Sequence, residues 1–405
     1  MTVHIGKGAA VGTVAAPPSK SMAHRMLICA GLAAGESKIS GISDSEDIAA
    51  TIDCLRALGV DIAVCGDVAT VRGIDLENAA PTAPLRCRES GSTLRFLVPP
   101  ALLCGKEVHF VGSRTLLSRP LSVYETLCAE RGMTFLQDEN GLTVCGKLTA
   151  GEFRVPGNIS SQFISGLLFT LPLLAGDSII RITSPVESRS YIDLTVAALA
   201  AFGVTVQWTD ERTITVAGGQ HYRAHDAAVE GDYSGAAFFE ALNVLGGRVT
   251  VTGLSADSLQ GDRVYARHFE SLKKGTPAIH LADCPDLGPV LFAVAAAKFG
   301  GVFTGTRRLK IKESDRAAAM AEELQKCGVA VTVYEDSVVV FPKELHPPTE
   351  PLCGHNDHRI VMALAVLLTA LGGEITGAEA VAKSFPDFFE RLSALGVEVV
   401  KHDTE

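Results

Sequence analysis

Six times along the chain, a short polar stretch opens an apolar run that a glycine closes. Asn356-Asp357-His358-Arg359 precedes Ile360 to Leu371 and then Gly372-Gly373. Ser19-Lys20-Ser21-Met22-Ala23-His24-Arg25 opens the run ending at Gly35, Glu89-Ser90-Gly91-Ser92 the run ending at Gly105, and Ser160-Ser161-Gln162 the run ending at Gly176. Gly231-Asp232-Tyr233-Ser234 opens the run to Gly246, and Asp283-Cys284-Pro285-Asp286 the run to Gly300. Polar acceptors at the start and glycine at the stop predict capped helices. Runs that are apolar all round predict buried helices rather than amphipathic ones. The closing glycines recur about every 70 residues, with one shorter step between Gly246 and Gly300. Such a period implies repeated supersecondary units.

A second series runs in phase with the first. Leu58-Gly59-Val60, Arg131-Gly132-Met133, Phe202-Gly203-Val204, Cys327-Gly328-Val329 and Leu395-Gly396-Val397 each close an amphipathic helix and start a strand, with Lys274-Gly275 as a weaker sixth copy. Each unit is therefore read as buried helix, strand, amphipathic helix and strand. Residues 1–14 read as one or two short strands around Gly6 and Gly12, followed by the stiff Ala15-Ala16-Pro17-Pro18. Six units suggest two domains of three. If the helix starts of a domain converge, their positive dipole ends and free N–H groups face a shared anion.

Composition narrows the function. The chain has 405 residues, 47% hydrophobic and 20% charged, which suits globular cores. A net charge of −10 argues against nucleic acid or an anionic membrane as a partner, so an anion site must be a local gathering of Lys and Arg. None of the ten cysteines forms a Cys-x-x-Cys pair, which leaves zinc and redox motifs without support and suits a reduced cytoplasmic protein. No signal peptide or membrane span is expected. The chain is expected to act as a monomer on small molecules.

Cations and small hydroxyls recur at the helix mouths: Lys20, Ser21, Arg25, Arg119, Ser160, Ser161, Gln162, Lys312, Arg316, Arg359 and Lys383. Glu89, Asp286 and Glu313 are the carboxylates among them. Arg119, before Pro120, is read as a helix start. Lys312 lies four residues from both Arg308 and Arg316, and on a helix these would share a face. Like charges so placed suggest an anion between them. Such a set suits substrates with several negative charges, the carboxylates supplying acid and base. His358 reads as a base or as a structural cap residue.

Taken together, these motifs carry a resemblance. Pro18-Ser19-Lys20-Ser21 with Arg25, Ser-Gly-Ser-Thr-Leu-Arg at 90–95, Leu117 to Pro120, Ser160-Ser161-Gln162, Ser188 with Tyr191-Ile192-Asp193, Pro285-Asp286, Lys312-Glu313-Ser314-Asp315-Arg316, Asn356 to Arg359 and Lys383-Ser384-Phe385-Pro386-Asp387 stand in one order. Over nearly the whole chain this resembles the 5-enolpyruvylshikimate-3-phosphate synthase family.

The resemblance implies an α/β fold of two domains, an inside-out α/β barrel. Each domain has three βαβαββ-type units around buried parallel helices, and the active site lies in the interdomain cleft. The implied domains are 1–18 plus 229–405 and the inserted 19–228. The implied reaction moves the enolpyruvyl group of phosphoenolpyruvate to the 5-hydroxyl of shikimate 3-phosphate and releases phosphate through a tetrahedral ketal, with no cofactor and no metal. By position, Lys20, Ser21, Arg25, Ser160, Ser161, Gln162, Ser188, Tyr191, Asp286 and Lys312 would hold shikimate 3-phosphate. Lys20, Gly91, Arg119, Gln162, Arg316, His358, Arg359 and Lys383 would hold phosphoenolpyruvate. Asp286, Glu313 and Lys20 would be catalytic, Asp286 accepting the hydroxyl proton and Glu313 protonating the methylene carbon.

Two departures stand out. Glu89 replaces the Asn of many members, and a carboxylate there needs a partner such as Arg86, Arg88 or Arg95. Gly91 stands where glyphosate-sensitive members keep glycine, while Phe96 stands where others have proline. The sister family that acts on UDP-N-acetylglucosamine carries Lys-Asn where this chain has Lys20-Ser21. A non-catalytic anion-binding protein on this scaffold would have no use for Asp286 and Glu313 beside the cations.

Overall fold

The computed structural model describes residues 1–402. The chain divides into two compact units, Pro18–Glu230 and Met1–Pro17 with Gly231–Glu405.

The six apolar runs form helices Lys20–Leu32, Gly91–Ala101 and Ser161–Thr170 in the first unit, and Tyr233–Val244, Gly288–Ala297 and His358–Leu371 in the second. Five are capped at their N-termini as their sequences predict, whereas only His358–Leu371 has its closing glycine, Gly372, as the C-cap. The side chains of Ser19, Ser90, Ser160, Asp232 and Asp357 each accept a backbone N–H of the first turn. The run after Asp283 differs, because Pro285–Leu287 first makes a 3-10 turn and Gly288 then starts the helix. These helices are buried around their circumference; every residue from His358 to Thr369 is buried. In the second unit the three pack on one another, and in the first Gly91–Ala101 packs on Ser161–Thr170. Strands lie in four-stranded sheets and one two-stranded sheet around them, and among the described residues no sheet closes into a barrel.

The sheets repeat one plan. Val108–Gly112 follows its buried helix, pairs in parallel with Leu85–Arg88 and antiparallel with Leu142–Cys145, which in turn pairs with Thr134–Gln137. The sheets around Ser178–Ile182 and Gly301–Thr304 do the same. In the sixth unit the N-terminal strand Thr2–Ile5 stands where a hairpin strand belongs, between Gly373–Thr376 and Val399–His402.

The short step between Gly246 and Gly300 now has a cause. Arg248–Thr252 pairs only with Val11–Ala15, and the amphipathic helix Tyr265–Lys274 runs on to Ala278–His280 without a hairpin. The helix-ending glycines 59, 132, 203, 328 and 396 are left-handed, with φ of 106°, 65°, 80°, 87° and 86°. Gly275, the weak sixth copy, is extended at φ 166°, and no hairpin follows it before the next buried helix.

Candidate active site

In the unit Pro18–Glu230, hydrogen bonds tie the helix mouths together. Lys20 is the first residue of its helix, and its ammonium donates to Asp47 Oδ2 at 2.6 Å, from the first turn of the helix Glu46–Ala57. A buried chain continues the link: His24 Nδ1 to Thr51 Oγ1 at 2.7 Å, Thr51 to Thr93 at 2.7 Å, and Thr93 to the cap Ser90 at 2.7 Å. Burial holds His24 well below its usual imidazole value, so it serves as a neutral link.

Arg25 is buried at 2% exposure and spans two elements. It donates to the Ser21 carbonyl at 2.6 Å, the Tyr191 carbonyl at 2.8 Å and Thr195 Oγ1 at 2.8 Å, and lies 5.0 Å from the Phe96 ring centroid. Ser188 caps the helix Arg189–Ala201 with a left-handed φ of 56°, a strained conformation of the kind that clusters at ligand sites. Gln162, on the third buried helix, accepts from Arg95 Nη1 at 2.8 Å and donates to Ser92 Oγ at 2.9 Å. A Cβ on Gly91 would lie 3.1 Å from Arg119 Nη1 and 3.8 Å from Gln162 Oε1. Gly91, Arg119, Arg95 and Gln162 are therefore neighbours.

Arg119 is not at a helix start. It follows the short helix Arg114–Leu117 and precedes Ser122–Glu130, whose cap is Leu121. Ser160 and Ser161 lie with Gln162 at the third helix mouth, Ser160 as the cap. Of the partners considered for Glu89, Arg88 reaches Asp53 at 2.9 Å and Arg95 bonds Gln162 and the Pro120 carbonyl.

In the other unit the charged residues make one cluster. Arg316, at 1% exposure, directs its guanidinium to three carboxylates. Nε lies 2.8 Å from Asp357 Oδ2, Nη1 2.9 Å from Asp286 Oδ1, and Nη2 2.6 Å from Glu313 Oε2 and 3.2 Å from Asp357 Oδ1. Burial works against its charge, but Asp357, Glu313 and Asp286 outweigh that and keep it protonated. Asp286 also lies 3.2 Å from Lys312 Nζ and 3.2 Å from Arg359 Nη2.

This corrects one expectation. Lys312 and Arg316 do not share a helix face: Lys312 ends the 3-10 turn Arg307–Ile311, where Arg308 lies, and Arg316 is the first residue of its own helix. Asp286 lies between them, 3.2 Å from Lys312 Nζ and 2.9 Å from Arg316 Nη1. Burial lowers the Lys312 ammonium from its usual value, against the pull of Asp286. Lys383 donates to the Asn356 carbonyl, and His358 is buried with Nδ1 3.9 Å from Asp357 Oδ1.

Sequence reasoning assigned no site role to Asp47, Asp262 or Asp357. Asp262 accepts from the Ser234 hydroxyl and is 1% exposed. Burial pushes its carboxyl up to about 7, the charge of Asp286 adding and Arg359 opposing. Asp357 stood inside a quoted motif, and only the fold shows that it clamps Arg316. The mouths of all three buried helices of this unit thus converge on one set of charges, through Ser234 with Asp262, through Asp286, and through Asp357 with Arg359.

Residues 6–392 match the EPSP synthase (3-phosphoshikimate 1-carboxyvinyltransferase) family. The chain belongs to this family. A 3-phosphoshikimate 1-carboxyvinyltransferase of Clostridium kluyveri is 41% identical over 411 residues, covering 96% of each chain. One of Clostridium perfringens is 41% identical over 408 residues, covering 95% of this chain and 96% of the relative. Among solved structures, an EPSP synthase from Acinetobacter baumannii aligns with a TM-score of 0.77 at 25% identity, over 99% of this chain and all of that one. The enolpyruvyl transferase NikO from Streptomyces tendae shares the fold, with a TM-score of 0.80 at 15% identity over 98% of both chains. For a family member, the carboxylates meshed with guanidinium groups are the feature to explain, because an anion-binding site ordinarily excludes them.

Proposed function

We infer that the chain transfers the enolpyruvyl group from phosphoenolpyruvate to the 5-hydroxyl of shikimate 3-phosphate, releasing phosphate, in aromatic amino acid biosynthesis. Family membership over residues 6–392 supports the activity. The observation that supports the assignment of roles is the placement of Asp286 and Glu313 on the same guanidinium, 2.9 and 2.6 Å away.

The chemistry needs a base and an acid. The hydroxyl of shikimate 3-phosphate loses its proton as its oxygen bonds the central carbon of phosphoenolpyruvate. The methylene carbon gains a proton, which makes the tetrahedral ketal with a methyl group. Phosphate then leaves and a methyl proton departs, which restores the vinyl group. Asp286 takes the hydroxyl proton and Glu313 delivers the methylene proton; both carboxylates stabilise the oxocarbenium-like centre between these steps.

Arginine has five donors, and four bonds of Arg316 go to carboxylates. The substrate's carboxylate and phosphate compete with Asp286 and Glu313 for Arg316, Lys312 and Arg359. A donor that turns to the substrate leaves its carboxylate to handle a proton. Binding the donor anion thus prepares the acid and the base, and the forked guanidinium groups fix the geometry of attack. Within the unit Pro18–Glu230, we propose Lys20, Ser21, Arg25, Arg119, Ser160, Ser161, Gln162, Ser188 and Tyr191 as substrate-binding residues.

A phosphate-release assay tests this reading. Release should require both shikimate 3-phosphate and phosphoenolpyruvate. Release with UDP-N-acetylglucosamine in place of shikimate 3-phosphate would move the chain to the sister reaction, and no release with either acceptor would favour anion binding without catalysis. We also propose cytoplasmic residence, which the ten free cysteines support. Among the described residues no helix is long and apolar enough to cross a membrane.

Gly91→Ala should weaken glyphosate inhibition more than it raises the KM for phosphoenolpyruvate, by about tenfold or more, the scale of one intruding methyl group. The added Cβ presses on Arg119 at 3.1 Å, and the bulkier occupant loses more. Inhibition kinetics showing equal loss for both ligands would contradict this placement.

A further inference from the structure

The turn from Cys353 to Asp357 holds two successive non-glycine residues in the left-handed region, His355 at φ 48° and Asn356 at φ 51°. Such a pair persists only where its surroundings over-determine it. The restraint comes from Glu323, which is wholly buried on the helix Arg316–Lys326. Its Oε1 lies 2.8 Å from His355 Nε2, and its Oε2 accepts the Cys353 N–H at 2.8 Å. Glu322, Glu323 and His355 bring ligand-capable atoms within 4.8 Å of one another. The Lys326 ammonium, 3.0 Å from Glu323 Oε2 and 3.5 Å from Glu350, already supplies the cation there, so the cluster reads as a strut and not as a metal centre. The hydrogen bond to Glu323 raises the His355 imidazole above its usual value against the effect of burial.

What leaves this turn matters for the site. The Asn356 carbonyl accepts from Lys383, Asp357 clamps Arg316, and Arg359 reaches Asp286. One helix therefore grips the turn twice, at its first residue through Arg316 with Asp357, and further along through Glu323 with Cys353 and His355.

We propose that Glu323 and His355 are positioning residues for the phosphoenolpyruvate side of the site, holding the strained turn that aims Asn356, Asp357 and Arg359. The inference rests on the assignment of Arg316, Arg359 and Lys383 to phosphoenolpyruvate. Neither residue is among those assigned to a substrate, so the effect should be selective. His355→Ala should raise the KM for phosphoenolpyruvate about tenfold, the scale of one hydrogen bond to a charged group, with kcat and the KM for shikimate 3-phosphate within about twofold of wild type. Glu323→Gln, which keeps the shape and removes the charge, should move the same constant. His355→Gln, which returns a donor of similar reach, should recover most of the loss. The proposal is overturned if both KM values rise together, if neither moves, or if the glutamine fails to rescue while the thermal midpoint alone falls. Wild-type enzyme inactive with the substrate pair would instead refute the functional reading on which the strut rests.

Discussion

Asp286→Asn is expected to lower turnover by about 10²–10⁴-fold, the range for loss of a general base, without weakening phosphoenolpyruvate binding. Asp286 lies within 3.2 Å of Lys312, Arg316 and Arg359, so it neutralises the groups assigned to the substrate anion. An amide keeps the shape and removes the competing charge. Steady-state kinetics with a direct binding measurement separate the two effects. Near-wild-type turnover would remove Asp286 from the role of base. Turnover that falls together with a large loss of phosphoenolpyruvate affinity would mean that Asp286 organises the cations and does not compete with the substrate.

Arg316→Met should have the largest effect on stability, about 3–5 kcal/mol, because it leaves carboxylates without their buried partner. Asp357 is wholly buried, and Glu313 and Asp286 are largely so, with side-chain exposures of 0%, 17% and 16%. The methionine fills much of the volume, so the loss is electrostatic and not a cavity effect. Denaturant titration should show the unit containing Arg316 unfolding at a markedly lower midpoint. A midpoint within experimental scatter of wild type would show that the three carboxylates find other partners, and that the fan around Arg316 is not what holds them.

These two residues mark where sequence reasoning ends. Helix caps are local: Ser19, Ser90, Ser160, Asp232 and Asp357 could be read because the acceptor and its N–H lie within three residues. Left-handed glycines after amphipathic helices are local too, and Gly275, the weaker copy in the sequence, is the exception. Ion pairs are different. Asp286 meets Arg316 across 30 residues and Arg359 across 73, and neither spacing has a period to detect. The four-residue spacing of Lys312 and Arg316 fits one helix face, whereas a helix boundary falls between them. Asp47 gave only the weak signal of an acid in a first helical turn, and Asp262 and Glu323 gave none. Buried carboxylates of this kind are set by tertiary packing. The resemblance supplied candidate roles for Asp286 and Glu313, but only the fold shows both held by one guanidinium.

Enolpyruvyl transfer by this chain turns on proton transfer by Asp286 and Glu313. The most direct measurement is turnover in heavy water with shikimate 3-phosphate and phosphoenolpyruvate, followed by proton NMR of the methylene group. Wild-type enzyme should place deuterium on that carbon, in the product and in recovered phosphoenolpyruvate, because the ketal carries a methyl group that turns before losing a proton. Glu313→Gln should bind both substrates and place almost none. Product formed without deuterium at that carbon, or incorporation by Glu313→Gln at the wild-type rate, would contradict the account.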